Sequence, residues 1–488
     1  MSVQVFLQGK LRGFEEFLAA PAHPCELGAA GPSGEWLLAG RSHWATLLPE
    51  VLPRALLAEL GLARLLLGSS GGGQFLMVLP GEGRSSAEEF LRRAKSGISQ
   101  LSGGTLELAW AFTENLGEWN IVRRRLAEEF ERRRLESLAP DGPESIGPFP
   151  DPGPPDTGGY FTGDLAGRYR QARSAGCDPG EPARLVLEGG KHCFAIGNAA
   201  DAIALARHWA PAENGVEAAP LAELAGRAAG YPAWGVLRGD VDGFAVRMRR
   251  LATVEEHIQI SVMYRQFFAG ELEVVCSMPE FWRKVSIVYT GGNDFGVTGA
   301  WDALLEMARE IERLFHRFAD ENLKDLPGPE GKTLSMAMAL APEPDAAVSA
   351  VWSEAARRLE TAKSAGKDCV HVFGRTVEWK QLGHASELKD GMLRLIHEFG
   401  CSPQFLGELG GFYREREPAA GGARFERPWR YHRRFYMAAG RTAGRDFQKL
   451  RTKLITELIG RNPAQVKLRP AGRVAVAWAR MMAVSVGE

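Results

Sequence analysis

The sequence predicts a protein of mixed helices and strands, α/β or α+β, in which one structural unit occurs twice. Strand-like apolar runs alternate with stretches of helical period. A Pro/Gly-rich break interrupts the chain at 140–159, and two distant segments carry the same motifs in the same order. With 488 residues, 45% of them hydrophobic, the chain is long enough for about three domains.

The repeat begins with a short strand motif, LQGKLRGF at 7–14 and LRGDVDGF at 237–244. A glycine-rich hairpin motif follows each copy, ARLLLGSSGGGQFLMVLP at 63–80 and SIVYTGGNDFGVTG at 286–299. The alignment places Gly71, Gly72, Gly73, Gln74 and Phe75 on Gly291, Gly292, Asn293, Asp294 and Phe295. Each copy is therefore predicted to be a strand, helices and a glycine-turn hairpin.

The two copies differ in charge where chemistry would lie. Asp240 and Asp242 of the second copy align with Lys10 and Arg12 of the first, and Asp294 aligns with Gln74. Residues two apart on a strand share one face, and pairing with the hairpin would bring Asp294 to the same end. Clustered carboxylates suit Mg²⁺, which in turn recruits phosphates. The alternative is an ordinary hairpin with a Gly-Gly-Asn-Asp turn.

Two helical stretches follow the second hairpin. Apolar residues at helical spacing predict a core-facing helix, with His316 on its surface; they are Leu304, Ala308, Ile311, Phe315 and Phe318. Farther on, RRLETAKSAGKDCVHVFG at 357–374 places Lys363 and Lys367 four residues apart. Such a pair lies on one helix face or at its end, where it could hold a polyphosphate or simply be solvated.

Charge and cysteine usage exclude several classes of protein. The formal net charge of −1 means that any nucleic-acid role must lie in local patches. Six scattered cysteines without a CxxC pair predict free thiols in a reducing cytoplasm, and zinc is not expected. The chain has neither a signal-peptide pattern nor an apolar run of ~18 residues, so no membrane association is expected.

The motifs DVDGF, YTGGNDF, TLSMAMALAP at 333–342 and AKSAGKD together resemble the palm domain of GGDEF-type nucleotide cyclases. The duplicated palm, ISVMYRQFFAGEL at 260–272, GAWDALLEMA at 299–308 and a C-terminal helical region narrow the resemblance. The chain is similar to the large subunit of type III CRISPR effector complexes, the CRISPR polymerase that makes cyclic oligoadenylates. This resemblance implies an α+β fold with two ferredoxin-like palms, a small middle domain and a C-terminal helical bundle.

The resemblance implies five segments: a first palm at 1–139, a linker at 140–159, a middle domain at 160–232, a second palm at 233–384 and a basic helical domain at 385–488. It implies ATP as ligand or substrate, Mg²⁺ or Mn²⁺ as cofactor, and attack of one ATP's ribose hydroxyl on the α-phosphate of the next. The implied catalytic residues are Asp240, Asn293 and Asp294, and the implied metal ligands are Asp240, Val241, Asp242 and Asp294. The implied nucleotide-binding residues are Gly71, Gly72, Gly73, Phe244, Ser261, Gly291, Gly292, Lys363 and Lys367.

Two departures from the family affect the expected activity. Asn293 stands where the family has an aspartate, which predicts weaker Mg²⁺ binding and leaves both an active and an inactive palm open. None of the ten histidines precedes an aspartate, so no HD-type DNase activity is expected.

The implied partners are guide RNA, target RNA, a small helical subunit and backbone-type CRISPR proteins. The basic, aromatic segment at 424–473 could bind RNA or single-stranded DNA, or could be a helical bundle with its aromatics in the core. Two other functions remain open: a stand-alone GGDEF-type nucleotide cyclase and a non-catalytic assembly protein.

Overall fold

The computed structural model describes residues 3–26, 33–138, 154–197, 201–215, 217–415, 429–440, 444–463 and 466–484. Most of the predicted linker at 140–159 lies outside these ranges, as do residues 416–428. None of the helices in the described ranges is long and apolar enough to cross a membrane.

The first palm is a four-stranded antiparallel sheet with helices between its strands. Its strands are β1 (Gln4–Arg12), β2 (Leu67–Gly71), β3 (Gln74–Pro80) and β4 (Glu107–Glu114), in the sheet order β2-β3-β1-β4. Its helices are α1 (Phe14–Ala19), α2 (Ser33–Glu59), α3 (Arg84–Ser102) and α4 (Trp119–Leu138). This order is that of a ferredoxin-like fold, in which two βαβ halves interleave.

A small three-stranded antiparallel sheet follows. It contains β5 (Ser174–Asp178), β6 (Glu181–Leu187) and β7 (His192–Ala195) in the order β6-β5-β7, and a short helix, α5 (Leu221–Gly226), lies farther along the chain. Its apolar residues, among them Cys177 and Leu185, belong to the same hydrophobic core as the first palm. The middle segment therefore packs on the first palm through a shared core.

The second palm repeats the topology of the first and extends it by two strands. Its strands are β8 (Trp234–Val241), β9 (Val285–Thr290), β10 (Asp294–Ala300), β11 (Leu334–Leu340), β12 (Cys369–Val372) and β13 (Arg375–Glu378). The sheet order is β13-β12-β11-β8-β10-β9, and its last four strands reproduce the order of the first palm. Its helices are α6 (Phe244–Arg250), α7 (Val254–Gln266), α8 (Leu272–Cys276), α9 (Trp301–Asn322) and α10 (Val348–Ala365). The predicted helix after the hairpin is α9, and His316 is exposed on it as predicted.

Equivalent packing confirms the predicted repeat. Gly9 lies opposite Phe75 in the β1–β3 register, and Gly239 lies opposite Phe295 in the β8–β10 register. A Cβ atom added at Gly9 would lie 2.1 Å from the Phe75 ring, and one at Gly239 would lie 2.3 Å from the Phe295 ring. Each phenylalanine thus needs a glycine opposite it, because its ring covers the neighbouring strand.

The described C-terminal region is helical. Its helices are α11 (Trp379–His397), α12 (Gln404–Glu415), α13 (Trp429–Ala438), α14 (Arg445–Leu458) and α15 (Pro470–Met482). The boundary expected between 384 and 385 falls inside α11, which begins directly after β13. The helices share a hydrophobic core with the second palm.

The aromatics of this region divide between the core and the surface. Tyr431, Phe435 and Phe447 are buried, whereas Trp429 and Tyr436 are 44% and 40% exposed. Arg424 and Phe425, at the start of the basic segment, lie outside the described residues. The interpretation that the aromatic residues form the core of a helical bundle therefore holds for Tyr431, Phe435 and Phe447.

Candidate functional site

The two glycine turns meet at their tips. Gly72 and Gly73 join β2 to β3, and both have positive φ, +59° and +73°, as a two-residue type I′ turn requires. A Cβ atom at Gly72 would lie 2.5 Å from the backbone nitrogen of Gly292 in the other turn. Glycine at this point therefore allows the backbones of the two palms to touch.

Matching backbone bonds hold each turn to its neighbouring strand. The N–H of Leu11 donates to the carbonyl of Gly73 at 2.7 Å, and the N–H of Val241 donates to the carbonyl of Asn293 at 2.9 Å. The register then places Lys10 opposite Gln74 in the first palm and Asp240 opposite Asp294 in the second. The structure thus brings carboxylates together at the second turn, while the first has lysine and glutamine.

Asp240 is neutralised by its neighbours. Its Oδ2 forms a salt bridge with Nζ of Lys363, and its Oδ1 accepts a hydrogen bond from the Asn293 amide nitrogen at 2.6 Å. Burial raises the pKa of Asp240, and the attraction of Lys363 only partly opposes that rise. The Asn293 amide therefore contacts this carboxylate without adding a charge.

Asp294 lies deeper than Asp240. The Tyr289 hydroxyl donates to its Oδ1 at 3.3 Å, and a Cβ atom at Gly291 would lie 1.8 Å from the same oxygen. Burial, and then the charge of Asp240, raises the pKa of Asp294 to about 7. Gly291 thus makes room for a carboxyl group that is readily protonated near neutral pH.

Asp242, which is one of the predicted metal ligands, is engaged in hydrogen bonds within the second palm. Its side chain accepts hydrogen bonds from the hydroxyls of Thr333 and Ser335 at 2.9 and 2.8 Å and from the backbone N–H of Asp368 at 2.8 Å. Only 4% of Asp242 is exposed. Three donors therefore already use both oxygens of this carboxylate in hydrogen bonds within the protein.

A divalent cation therefore has two carboxylates to bind here. In the described ranges, no group of three or more His, Cys, Asp or Glu side chains is placed to hold a metal ion. Asp240 and Asp294 face each other across neighbouring strands, and the charge of Asp240 adds to burial in raising the pKa of Asp294. Carboxylates that repel each other fit a hard cation, which would stabilise both in the charged form.

A cleft of about 700 Å³ lies between the two palms beside these carboxylates. Five cationic side chains line it against the carboxylates of Asp240 and Asp242, and they are Lys10, Arg123, Arg249, Lys363 and Lys367. His257 also lines it, and burial, Arg123 and Lys10 lower its pKa to about 4, so this ring is neutral at pH 7. The excess of cations over carboxylates fits a polyanion.

The cleft contains eight of the residues predicted from the sequence. These are Gly72, Asp240, Val241, Asp242, Phe244, Asn293, Lys363 and Lys367. The described positions of Gly71, Gly73, Ser261, Gly291, Gly292 and Asp294 place them outside its lining. Ser261 lies on α7, one helical turn beyond His257.

Sequence reasoning missed several lining residues. Lys10 could have been found, because the repeat aligns it with Asp240. Arg123, Arg249 and His257 left no comparable signal, because they reach the cleft from α4, α6 and α7 through tertiary packing alone.

Ion pairs join the two palms, one of them through the buried carboxylate of Glu50. Glu50 of α2 pairs with Arg265 of α7 at 2.8 Å, and Glu15 of α1 accepts from Arg238 of β8 at 2.7 Å. The Arg123 guanidinium also donates to the carbonyl of Arg249 at 2.8 Å. These contacts set the position of one palm on the other.

Comparisons with known proteins agree with this architecture. The family described as "Cas10/Cmr2, second palm domain" matches residues 233–371. Two curated relatives are both named "CRISPR system single-strand-specific deoxyribonuclease Cas10/Csm1 (subtype III-A)". The relative from Thermococcus onnurineus is 28% identical over 170 residues, which cover 32% of this chain and 20% of the relative. The relative from Mycobacterium tuberculosis is 29% identical over 178 residues, which cover 32% of this chain and 21% of the relative.

The chain matches about a fifth of the length of these curated relatives. Among solved structures, a Csm1–Csm4 cassette in complex with pppApA superposes with a TM-score of 0.71 at 18% identity. That match covers 99% of this chain and 70% of the other. The cassette in complex with AMPPNP superposes with a TM-score of 0.69 at 18% identity, over 99% of this chain and 70% of the other. The predicted resemblance and fold class are confirmed: the chain is similar to Cas10/Csm1 proteins of type III CRISPR systems, and residues 233–371 match the second palm domain of the Cas10/Cmr2 family.

Proposed function

We propose that this chain is the large subunit of an RNA-guided type III CRISPR effector complex and that it binds ATP between its two palms. The observation that carries the proposal is the cleft at the meeting point of the two glycine turns, with five cations around two carboxylates. A triphosphate is the ligand whose charge and size suit such a cleft. Solved relatives named as complexes with AMPPNP or with one ATP support this choice.

We infer that different residues bind the phosphates and the metal ion of the nucleotide complex. Lys363 and Lys367 lie where phosphate oxygens can replace Asp240 as the partner of Lys363. Asp240 and Asp294 are the carboxylates that would hold Mg²⁺ or Mn²⁺, an ion that neutralises charge on a reacting phosphate. We propose that cyclic oligoadenylate synthesis, if the assembled complex performs it, depends on Asp240 and is limited by the uncharged Asn293.

ATP binding is tested by calorimetry on the purified chain, with and without Mn²⁺. Lys363→Ala and Lys367→Ala should each weaken ATP binding about tenfold, because each removes a charge-assisted contact to phosphate. Asp302→Ala is the matched control, since Asp302 pairs with Lys284 on another face of the second palm. Equal affinities in all four proteins would contradict the proposed site.

Assembly is tested by co-purification with a backbone-type subunit, a small helical subunit and guide RNA. We expect one ribonucleoprotein peak, followed by a chromatographic assay for oligoadenylates with ATP, Mn²⁺ and target RNA. The similar solved structures are Csm1–Csm4 complexes, which favours this function over a stand-alone nucleotide cyclase. A stable homodimer that makes product without RNA or other subunits would overturn the proposal.

A further inference from the structure

Asp242 connects three parts of the second palm through its side chain. Oδ1 accepts from the Ser335 hydroxyl at 2.8 Å. Oδ2 accepts both from the Thr333 hydroxyl at 2.9 Å and from the backbone N–H of Asp368 at 2.8 Å. The end of β8 is therefore joined to the start of β11 and to the loop between α10 and β12.

The backbone of Asp242 strengthens the first of these connections. Its N–H donates to the carbonyl of Thr333 at 2.9 Å, and its carbonyl accepts from the N–H of Gly331 at 2.7 Å. Asp242 is held on both sides, so its carboxylate is a fixed acceptor for the loop at 366–368.

That loop has an unfavourable backbone. Lys367 and Asp368 both have positive φ, +66° and +48°, a region that residues with a Cβ atom rarely adopt. Such conformations persist only where surrounding contacts determine them. The hydrogen bond from the Asp368 N–H to the buried Asp242 carboxylate is a contact of this kind at the strained position itself.

The loop matters because of the side chain it presents. Lys367 is exposed and lines the cleft beside Lys363, which is the last basic residue of α10. A change in the backbone at Lys367 and Asp368 would redirect the Lys367 ammonium group away from the cleft.

We infer that Asp242 is a positioning residue, which holds the 366–368 loop so that Lys367 faces the phosphates of a bound nucleotide. This inference rests on the proposed ATP site and gives Asp242 a role other than binding a metal.

Asparagine at position 242 separates the two roles. Its side-chain oxygen can accept from Thr333 and Asp368 as Oδ2 does, and its NH₂ can donate to the Ser335 hydroxyl, which is able to reverse its role. Asp242→Asn thus keeps the hydrogen bonds and loses the charge, whereas Asp242→Ala loses both. A role that depends on the negative charge, as a metal ligand or a counter-charge, would be weakened by both changes.

The experiment measures ATP and adenosine affinity by calorimetry for the wild type and for Asp242→Ala, Asp242→Asn and Lys367→Ala. We expect Asp242→Ala to weaken ATP binding about tenfold without affecting adenosine, and Asp242→Asn to stay within about threefold of the wild type. In a Lys367→Ala background, Asp242→Ala should change ATP affinity by less than about twofold, since the two residues act as a unit. Asp302→Ala again serves as the control for loss of a carboxylate.

Two results would overturn the inference: an Asn variant as weak as the Ala variant, or an Ala effect that persists in full without Lys367. If Asp242→Ala does not fold, the Asn variant still decides, because a folded Asn protein with tenfold weaker ATP binding contradicts it. Amide hydrogen exchange at 366–368 is independent of nucleotide and should quicken in the Ala variant but not in the Asn variant. A wild type that binds no ATP would overturn the proposed function, and the exchange result would still judge the role of Asp242 in the loop.

Discussion

Asn293 sets the charge that the second turn presents to a cation. Its amide nitrogen donates to Asp240 at 2.6 Å, so the residue stabilises the cleft without a bound ion. A carboxylate there would instead repel Asp240 and Asp294. Compared with an aspartate at this position, Asn293 therefore lowers the affinity of the turn for a cation and raises the stability of the cation-free state.

Asn293→Asp should raise Mn²⁺ affinity about tenfold, because it adds a hard, charged ligand to the existing pair of carboxylates. Titration of the nucleotide-free protein, followed by the electron paramagnetic resonance of free Mn²⁺, measures this directly. Gln74→Asp is a control, since Gln74 is the counterpart of Asp294 in the first palm and faces Lys10 instead of a carboxylate. An unchanged Mn²⁺ affinity in Asn293→Asp would show that the turn does not contribute a ligand.

Asp294 should make stability depend on pH. Its pKa of about 7 in the folded protein is above the ordinary value of 3.8, so between these pH values the folded state binds a proton that the unfolded state lacks. The free energy of unfolding should therefore fall as pH rises from about 4 to about 7, then level off. Asp294→Asn cannot ionise and should lack this part of the slope.

Urea unfolding at intervals from pH 5 to pH 8 in the presence of a chelator tests this expectation. The stability advantage of Asp294→Asn over the wild type should grow with pH up to about 7. Asp302→Asn, at a carboxylate paired with Lys284, is the control and should show no such growth. Parallel curves for Asp294→Asn and the wild type would mean that Asp294 ionises at its ordinary pKa.

At the scale of elements, the two hairpins have the same topology but different turn conformations. Gly72 and Gly73 both have positive φ, whereas Gly291 and Gly292 of the second hairpin are not among the positive-φ glycines. The aligned sequences predict one hairpin twice, and the register confirms it. The turns also differ in length, since residues 72–73 join β2 to β3 and residues 291–293 join β9 to β10.

Gly72→Ala and Gly73→Ala form a matched pair that tests the contact between turns. Both require a positive φ of alanine, at a cost of roughly 1–2 kcal/mol. Only the Gly72 substituent meets the other palm, 2.5 Å from the nitrogen of Gly292, while the nearest atom to the Gly73 substituent is 4.0 Å away. Gly72→Ala should therefore destabilise the protein by a further ~1–3 kcal/mol in urea unfolding. Equal losses would mean that the turns separate without cost.

At the scale of the whole molecule, the sequence predicts what is encoded locally and misses what depends on packing. The repeat, the sheet partners of Asp240 and the helix after the second hairpin could all be predicted from motif order and periodicity. The hydrogen bonds of Asp242 could not, because Thr333 and Asp368 are distant in sequence and the motifs that contain them do not indicate a contact with Asp242. Arg123 was missed for the same reason, since α4 of the first palm brings it to the cleft.

The buried cluster around Glu50 is the strongest expected link between the palms. Glu50 is 2% exposed and pairs with Arg54 of its own helix at 2.7 Å and with Arg265 of the second palm at 2.8 Å. The Ser70 hydroxyl donates to the same carboxylate at 2.8 Å. Removing the anion would leave two arginines facing each other in a poorly solvated place.

Glu50→Ala should therefore lower the free energy of unfolding by about 3–5 kcal/mol, as is typical when one partner of a buried ion pair is removed. Glu310→Ala is the control, because Glu310 pairs with an exposed Arg313 on α9 and such pairs contribute only about 0–1 kcal/mol. Urea unfolding followed by both tryptophan fluorescence and circular dichroism measures the loss and shows whether the palms still unfold together. A loss no larger than that of Glu310→Ala would mean that the contact of the two palms depends on the glycine turns and the apolar core, and not on this cluster.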